Sequence, residues 1–157
     1  MSARIQENSK LQASPEAERR VRESFARQGL MSTLGATITG VGPGAVEIAL
    51  PVSDGILQQH GFVHAGAVSS IADTAAGFAA LTLMPADAGV LTTEFKINLL
   101  APAVGDWIVA RGRVVKAGRT LTLAQTDVFA EKAGQERLVA YLTATLMTVS
   151  GRDGIAD

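Results

Sequence analysis

Residues 65–84 read AGAVSSIADTAAGFAALTLM, and Asp73 is the one charged side chain among them. A helix that is apolar on every side is a buried helix or a membrane span. Twenty such residues are long enough to cross a bilayer, but an acid stands near the middle, Pro85 ends the run, and no second hydrophobic segment follows. The stretch is therefore expected to be the central helix of a folded domain. At 157 residues the chain holds about one domain, and only a sheet wrapped around such a helix could cover it.

The remainder of the chain supplies that sheet. Residues 90–100 alternate, with Leu91, Thr93, Phe95, Ile97 and Leu99 on one face and Thr92, Glu94, Lys96 and Asn98 on the other, the pattern of a half-buried strand. Residues 107–116, 120–130 and 138–150 follow as long strands with short connections, most simply an antiparallel meander. Two shorter strands are expected before the helix, at 32–39 and 45–52. They are joined by Gly40-Val41-Gly42-Pro43-Gly44, a turn and not a phosphate loop, because no helix follows it and the G-x-G-x-x-G spacing is missing. Ser14-Pro15 opens an N-terminal helix that runs to about Gln28 and stops at Gly29, with Glu16 and Glu18 at its positive end. Residues 1–13 are expected to be a disordered tail, 14–150 a single domain, and 151–157 a patternless C-terminal tail.

Composition removes several function classes. Hydrophobic residues are 47% and charged residues 18%, the balance of a globular chain. A net charge of −1 lacks the basic signature of a nucleic-acid binder. With no cysteine there is no disulfide framework, thiolate nucleophile or thiolate-bound metal. Residues 1–13 are polar and lack a secretory signal, so a cytoplasmic protein is expected. Aromatic residues are only 4%, which leaves Ala, Val, Leu and Ile to build thin, closely packed layers.

The chemistry gathers around the start of the apolar helix. Burying a carboxylate is costly unless it is paired, bonded or protonated, so Asp73 is either held by a structural hydrogen bond or is a working group. His60 and His64 have the spacing of a helical zinc pair, but Gly61, Phe62 and Val63 stand between them where zinc hydrolases need a Glu on a helix. The hydrolase signature G-x-S-x-G is also absent. His64, Ala65 and Gly66 open the helix, whose free N–H groups and dipole could hold developing negative charge on a carbonyl oxygen. Between Lys96 and Arg119 lie five cations, Lys96, Arg111, Arg113, Lys116 and Arg119, against one acid, Asp106. They form either a solvated sheet face or a patch for a phosphorylated ligand. Phe62, Phe78 and Leu81 either line a tunnel or fill the core.

Gly61-Phe62-Val63-His64-Ala65-Gly66 followed by Asp73-Thr74-Ala75 resembles the G-x-x-H-G-G…D motif of hotdog-fold acyl-CoA thioesterases, in particular the phenylacetic-acid-pathway group. The likeness extends through Thr92–Asn98, Pro102-Ala103 and Val115–Arg119, about residues 30–149. It implies an α+β hotdog fold, an antiparallel sheet around a long central helix, here with an extra N-terminal helix. It also implies homo-oligomers, dimers or tetramers, with sites at the dimer interface, hydrolysing an acyl-CoA with no cofactor or metal. By position, Asp73 matches the general base or nucleophile. Ala65 stands where the family has the first glycine after His, whose N–H polarises the thioester carbonyl. Alanine keeps the N–H but tolerates positive φ poorly, so the turn is expected to be relaxed or the hole altered. Gln58 stands where relatives have an orienting Asn, and Thr92 where they have Ser or Thr, expected to reach Asp73 of the partner chain. His64 and Gly66 shape the turn. Phe62 is a candidate for the acyl group, and Arg111, Arg113, Lys116, Gly118 and Arg119 for the coenzyme A phosphates. Two other readings share these features: a non-catalytic acyl-CoA-binding module, and a hotdog hydratase or dehydratase using His64 with Asp73.

Overall fold

In the computed structural model, which describes residues 13–155 and 157, the apolar stretch forms helix α3, Ala65–Leu81. Two helices precede it, α1 (Pro15–Ala26) and α2 (Gly29–Leu34). Six strands complete the chain: β1 (Thr37–Gly42), β2 (Ala45–Pro51), β3 (Gly89–Leu99), β4 (Trp107–Lys116), β5 (Leu121–Lys132) and β6 (Gln135–Val149). They form one antiparallel sheet in the order β1-β2-β4-β5-β6-β3. Helix α3 lies across it in contact with β2 to β6, the expected hotdog arrangement. Among the described residues no helix is long and apolar enough to cross a membrane.

Small side chains set the spacing between helix and sheet. Ala72, Ala75, Ala76 and Ala79 are wholly buried, facing a sheet layer that includes Ile48, Ile108, Ala110, Val128 and Leu142. The closest approach is at Gly112 on β4, where an added Cβ would lie 2.4 Å from the carbonyl carbon and oxygen of Ala75. A glycine inside a strand marks such a backbone approach. Thr126 on β5, also fully buried, donates from Oγ1 to the carbonyl of Ala72 at 2.9 Å and ties the helix down one turn away. Phe78 and Leu81 are core residues rather than tunnel lining, 2% and 1% exposed, and Phe78 packs on Phe25 of α1 with ring centroids 6.2 Å apart.

Several expectations change. The strand expected at 32–39 begins at Thr37, because residues 29–34 form α2, closed by Gly35 in the left-handed region at φ 72°. Gly29 is therefore the first residue of a second helix and does not end the helical segment. The strands after α3 do not form a simple meander: β4-β5-β6 do, whereas β3 crosses to the far side and pairs with β6. Strand β3 also does not keep one alternation. A bulge between Thr92 and Glu94 inserts an extra residue, which reverses the parity of side chains beyond it. Val90 and Thr92, opposite Thr148 and Leu146, thus share the helix-side face with Phe95, Ile97 and Leu99, opposite Ala144, Leu142 and Ala140. Sequence alternation had put Thr92 on the other face.

At the N-terminus, Ser14 caps α1 by accepting from the Ala17 N–H at 3.2 Å. The expected tail at 1–13 falls outside the described residues except for Ala13, which is buried. In the C-terminal stretch, which has no pattern in the sequence, Ile155 lies on Gly89 and Asp157 accepts from the Val90 N–H at 2.9 Å.

Replacing Gly112 with Ala should destabilise the fold by about 3 kcal/mol, at the upper end of what overpacking costs, since neither backbone can yield freely. Urea denaturation of the two proteins measures it.

Candidate active site

The loop before α3 is built by its own backbone. Gln58 N–H donates to Phe62 O at 2.8 Å and Gly61 N–H to Gln58 O at 2.9 Å, a tight turn that Gly61 makes possible with φ 80°. The Gln58 side-chain oxygen accepts from the His60 N–H, which leaves its NH₂ as the donor group of that side chain. The loop is pinned by His64 N–H to Ile56 O at 2.8 Å and Val63 N–H to Ala103 O at 3.0 Å.

His64 is the N-cap of α3. Its Nδ1 accepts from the Gly66 N–H at 2.8 Å, so the neutral ring carries its proton on Nε2. An added Cβ at Gly66 would lie 3.0 Å from that Nδ1, which accounts for the glycine. His60 sits exposed in the preceding turn, so the two histidines do not share a helical face. Ala65 is the first helical residue, and the only non-glycine residue at positive φ among those described is Ala133. The alanine fits without strain, and the turn is the relaxed form. With the Gly66 N–H taken by His64, the Ala65 N–H is the donor left free at the positive end of the helix. It borders an apolar cavity of about 470 Å³, lined by Gln58, Phe62, Val68, Leu99, Pro102 and Val139 among others.

Asp73 lies two turns further along α3, at the boundary between helix and β3. Thr92 Oγ1 donates to its Oδ1 at 2.8 Å. This bond is within one chain, where the sequence led to the expectation of a contact with Asp73 of a partner chain; the bulge turns Thr92 inward to the Asp73 of its own chain. Burial pushes the Asp73 carboxyl above the ordinary carboxylate range, and the Thr92 hydrogen bond pulls it back in part. Thr93 faces away and donates to Thr145 O at 3.0 Å.

The local excess of cations along β4 is partly neutralised by acids from neighbouring strands. Arg111 donates to Glu47 Oε2 at 2.7 Å and, bidentate, to Glu136 at 2.7 and 2.9 Å, with its guanidinium 4.8 Å over the Phe129 ring. These contacts raise its pKa further and fix it on the outer face of the sheet. Arg113 is 3.5 Å from Asp127. Lys116 and Arg119 are exposed near the β4–β5 turn and have no ion pair among the described residues. Gly118 is needed by the turn itself, since a Cβ there would meet Leu121 O at 2.2 Å. Sequence reading missed Gly112, Thr126 and the bulge, of which only Gly112, a glycine inside a strand, left a legible signal.

The sequence pattern of the thioesterase superfamily matches residues 60–136. A solved thioesterase family protein from Silicibacter pomeroyi is 50% identical, with a TM-score of 0.84 over 86% of this chain and 99% of its own. The PaaI protein of the phenylacetic acid degradation operon of E. coli is 21% identical with a TM-score of 0.78, over 89% of this chain and 98% of its own, which speaks to the fold alone. A Deinococcus radiodurans protein carrying an esterase name is 33% identical, over 76% of this chain and 77% of its own.

Removing the Thr92 hydroxyl with Thr92→Val should raise the midpoint of the Asp73 carboxyl, read by ¹³C NMR titration. Because an acid with a raised folded pKa contributes stability only when protonated, that contribution is full below the unfolded pKa and is lost as pH rises through the folded value. Asp73→Asn is therefore expected to be at least as stable as the parent at neutral pH in thermal denaturation.

Proposed function

The chain belongs to the thioesterase superfamily, and on that premise we propose that it is a cytoplasmic acyl-CoA thioesterase, active as a homo-oligomer whose sites are shared between two copies. The observation that carries this reading is the desolvated Asp73 carboxylate held by Thr92 on the helix side of a sheet-edge strand. Eight residues separate the Ala65 N–H from Asp73 on one helix, about 12 Å at 1.5 Å per residue. That is too far for both to act on one thioester carbon.

Two copies solve the distance. No strand among the described residues pairs with the outer edge of β3, and its helix-side residues Phe95 and Leu99 are 45% and 56% exposed. Antiparallel pairing of two such edges would set the Leu99 end of one β3, with its cavity and free Ala65 N–H, beside the Thr92 end of the other. Asp73 of one copy would then face Ala65 and Gln58 of the other.

In this arrangement Asp73 accepts a proton from water as the water oxygen attacks the thioester carbonyl; in the alternative route it attacks that carbon itself, and water then hydrolyses the mixed anhydride so formed, regenerating Asp73 and supplying the proton for the thiolate. The Ala65 N–H and the Gln58 amide hold the developing oxyanion. The C–S bond then breaks, releasing the acid and coenzyme A, which takes up the proton as its thiol. His64 and Gly66 hold the turn, and Phe62 lines the acyl cavity. Lys116 and Arg119 are the phosphate ligands we favour. The register Thr122–Leu146–Thr92 places their turn at the same end of the sheet as Asp73, whereas Arg111 and Arg113 are engaged by carboxylates. Coenzyme A enters as part of the substrate, with no metal or cofactor.

Thiol release from short, long and aromatic acyl-CoAs tests the reading. Asp73→Asn and Asp73→Ala should lower turnover by about 10²-fold or more with fold and oligomer intact, and near-normal turnover in either would overturn the assignment. In the parent, turnover should fall on the acid side as Asp73 protonates, at a pH above the ordinary carboxylate range. Tight binding without thiol release would instead mark a binding module, and an enoyl absorbance change without thiol a hydratase.

A further inference from the structure

After β6 the chain turns back, and Ile155 and Asp157 lie against the first residues of β3. An added Cβ at Gly89 would come within 2.8 Å of Ile155 Cγ2 and 3.1 Å of its carbonyl oxygen, so the glycine is what lets the tail lie flat on the strand. The Asp157 carboxylate then receives the Val90 N–H at 2.9 Å on one oxygen and the Ser24 hydroxyl at 2.6 Å on the other. Arg27, the residue that caps the end of α1, stands 3.8 Å away. Arg20, also on α1, donates to the Asp157 main-chain oxygen at 3.2 Å, to Met84 O at 3.3 Å and to Ala88 O. Three segments of different origin therefore converge on the start of β3: α1, the connection after α3, and the tail.

Within one copy the strand they hold has β6 on one side, and its ladder with β6 is interrupted by the bulge directly after Thr92. A bulge leaves one residue unpaired and disrupts the ladder locally, and beside it Thr92, two residues beyond Val90, keeps a 2.8 Å hydrogen bond to Asp73. We propose that the tail is a clamp on β3 and that Asp157 is a positioning residue, holding the strand so that the Thr92 hydroxyl stays on the Asp73 carboxylate. This deepens the thioesterase reading and rests on it for its catalytic meaning, though not for its geometry. Asp157 acts through Val90 and the strand. The charged groups around it are Arg20 and Arg27, with Glu16 and Asp87 acting on Arg20. Asp73 itself is influenced by its burial and by Thr92, with no charged neighbour contributing among the described residues.

The test compares the parent with Asp157→Ala, Thr92→Val and the double variant, following the Asp73 carboxyl by ¹³C NMR titration. Asp157→Ala should raise the Asp73 midpoint toward the Thr92→Val value, by at most roughly one pH unit, the worth of one hydroxyl–carboxylate hydrogen bond. In the Thr92→Val background it should add nothing. Asp157→Asn, which keeps an acceptor oxygen, should recover most of the parent midpoint. A lowered melting temperature with an unmoved midpoint would make the tail merely structural and overturn the proposal, as would an equal further shift in the double variant. Should Asp157→Ala fail to fold, Ser24→Ala removes one arm of the clamp and should raise the midpoint by a smaller amount; no shift there would also overturn it. The titration needs no turnover, so a protein that released no thiol would refute the thioesterase reading while leaving the clamp separately decided. If both stand, the acid limb of thiol release should move with the titration midpoint in each variant.

Discussion

The contact on which the rest of the structure depends is the backbone-to-backbone approach of α3 and β4 at Gly112. A helix this poor in large side chains gains little from any single contact, so it is stabilised by lying close to the sheet along its whole length, where alanine methyls meet Ile48, Ala110 and Val128. The glycine permits that distance, and the Thr126 hydroxyl on the Ala72 carbonyl adds a directional bond beside it. With the helix set at that depth, Ala72 faces the sheet and its neighbour Asp73 comes out at the margin, toward β3. The carboxylate is half-buried because of where the helix lies, and its raised proton affinity follows from the same placement.

Charge is distributed in two layers. On the outer face of the sheet, Arg111 is enclosed by Glu47, Glu136 and the Phe129 ring, a network that joins β2, β4, β5 and β6 across strands distant in sequence. On the helix side, Asp73 meets a hydroxyl and, among the described residues, no cation. A paired carboxylate would be a weak base held ionised by its partner; one held by a neutral donor in a partly desolvated place keeps a higher proton affinity, which suits acid–base work. Among the described residues, Lys116 and Arg119 have no ion pair and lie at the β4–β5 turn, where chain direction reverses and side chains are exposed.

The helix, its flanking strands and the conspicuous acid were legible because each is written in local pattern: an uninterrupted run of small apolar residues, a two-residue alternation, one charge where none belongs. Ser14-Pro15 was legible as a helix start for the same reason. The features that escaped depend on partners far along the chain. Residues 29–34 lack a long periodic signal, so α2 was hidden within an apparent strand. Alternation through residues 90–100 continues across the bulge without a mark, because a bulge is a property of two strands and β6 is more than forty residues away. The cation tally along β4 could not include Glu47 or Glu136, and the C-terminal residues have no periodicity to show that they fold back on Gly89.

The sequence by itself determined the buried helix, the number and rough limits of the long strands, and the identity of the one carboxylate at its margin, since burial and periodicity are set by side-chain type at short range. Only the tertiary structure decided which face Thr92 occupies, which strand β3 joins, which arginines are engaged and what the tail holds. Each of those is a choice among pairings of similar local cost, resolved by where the closely packed helix leaves room.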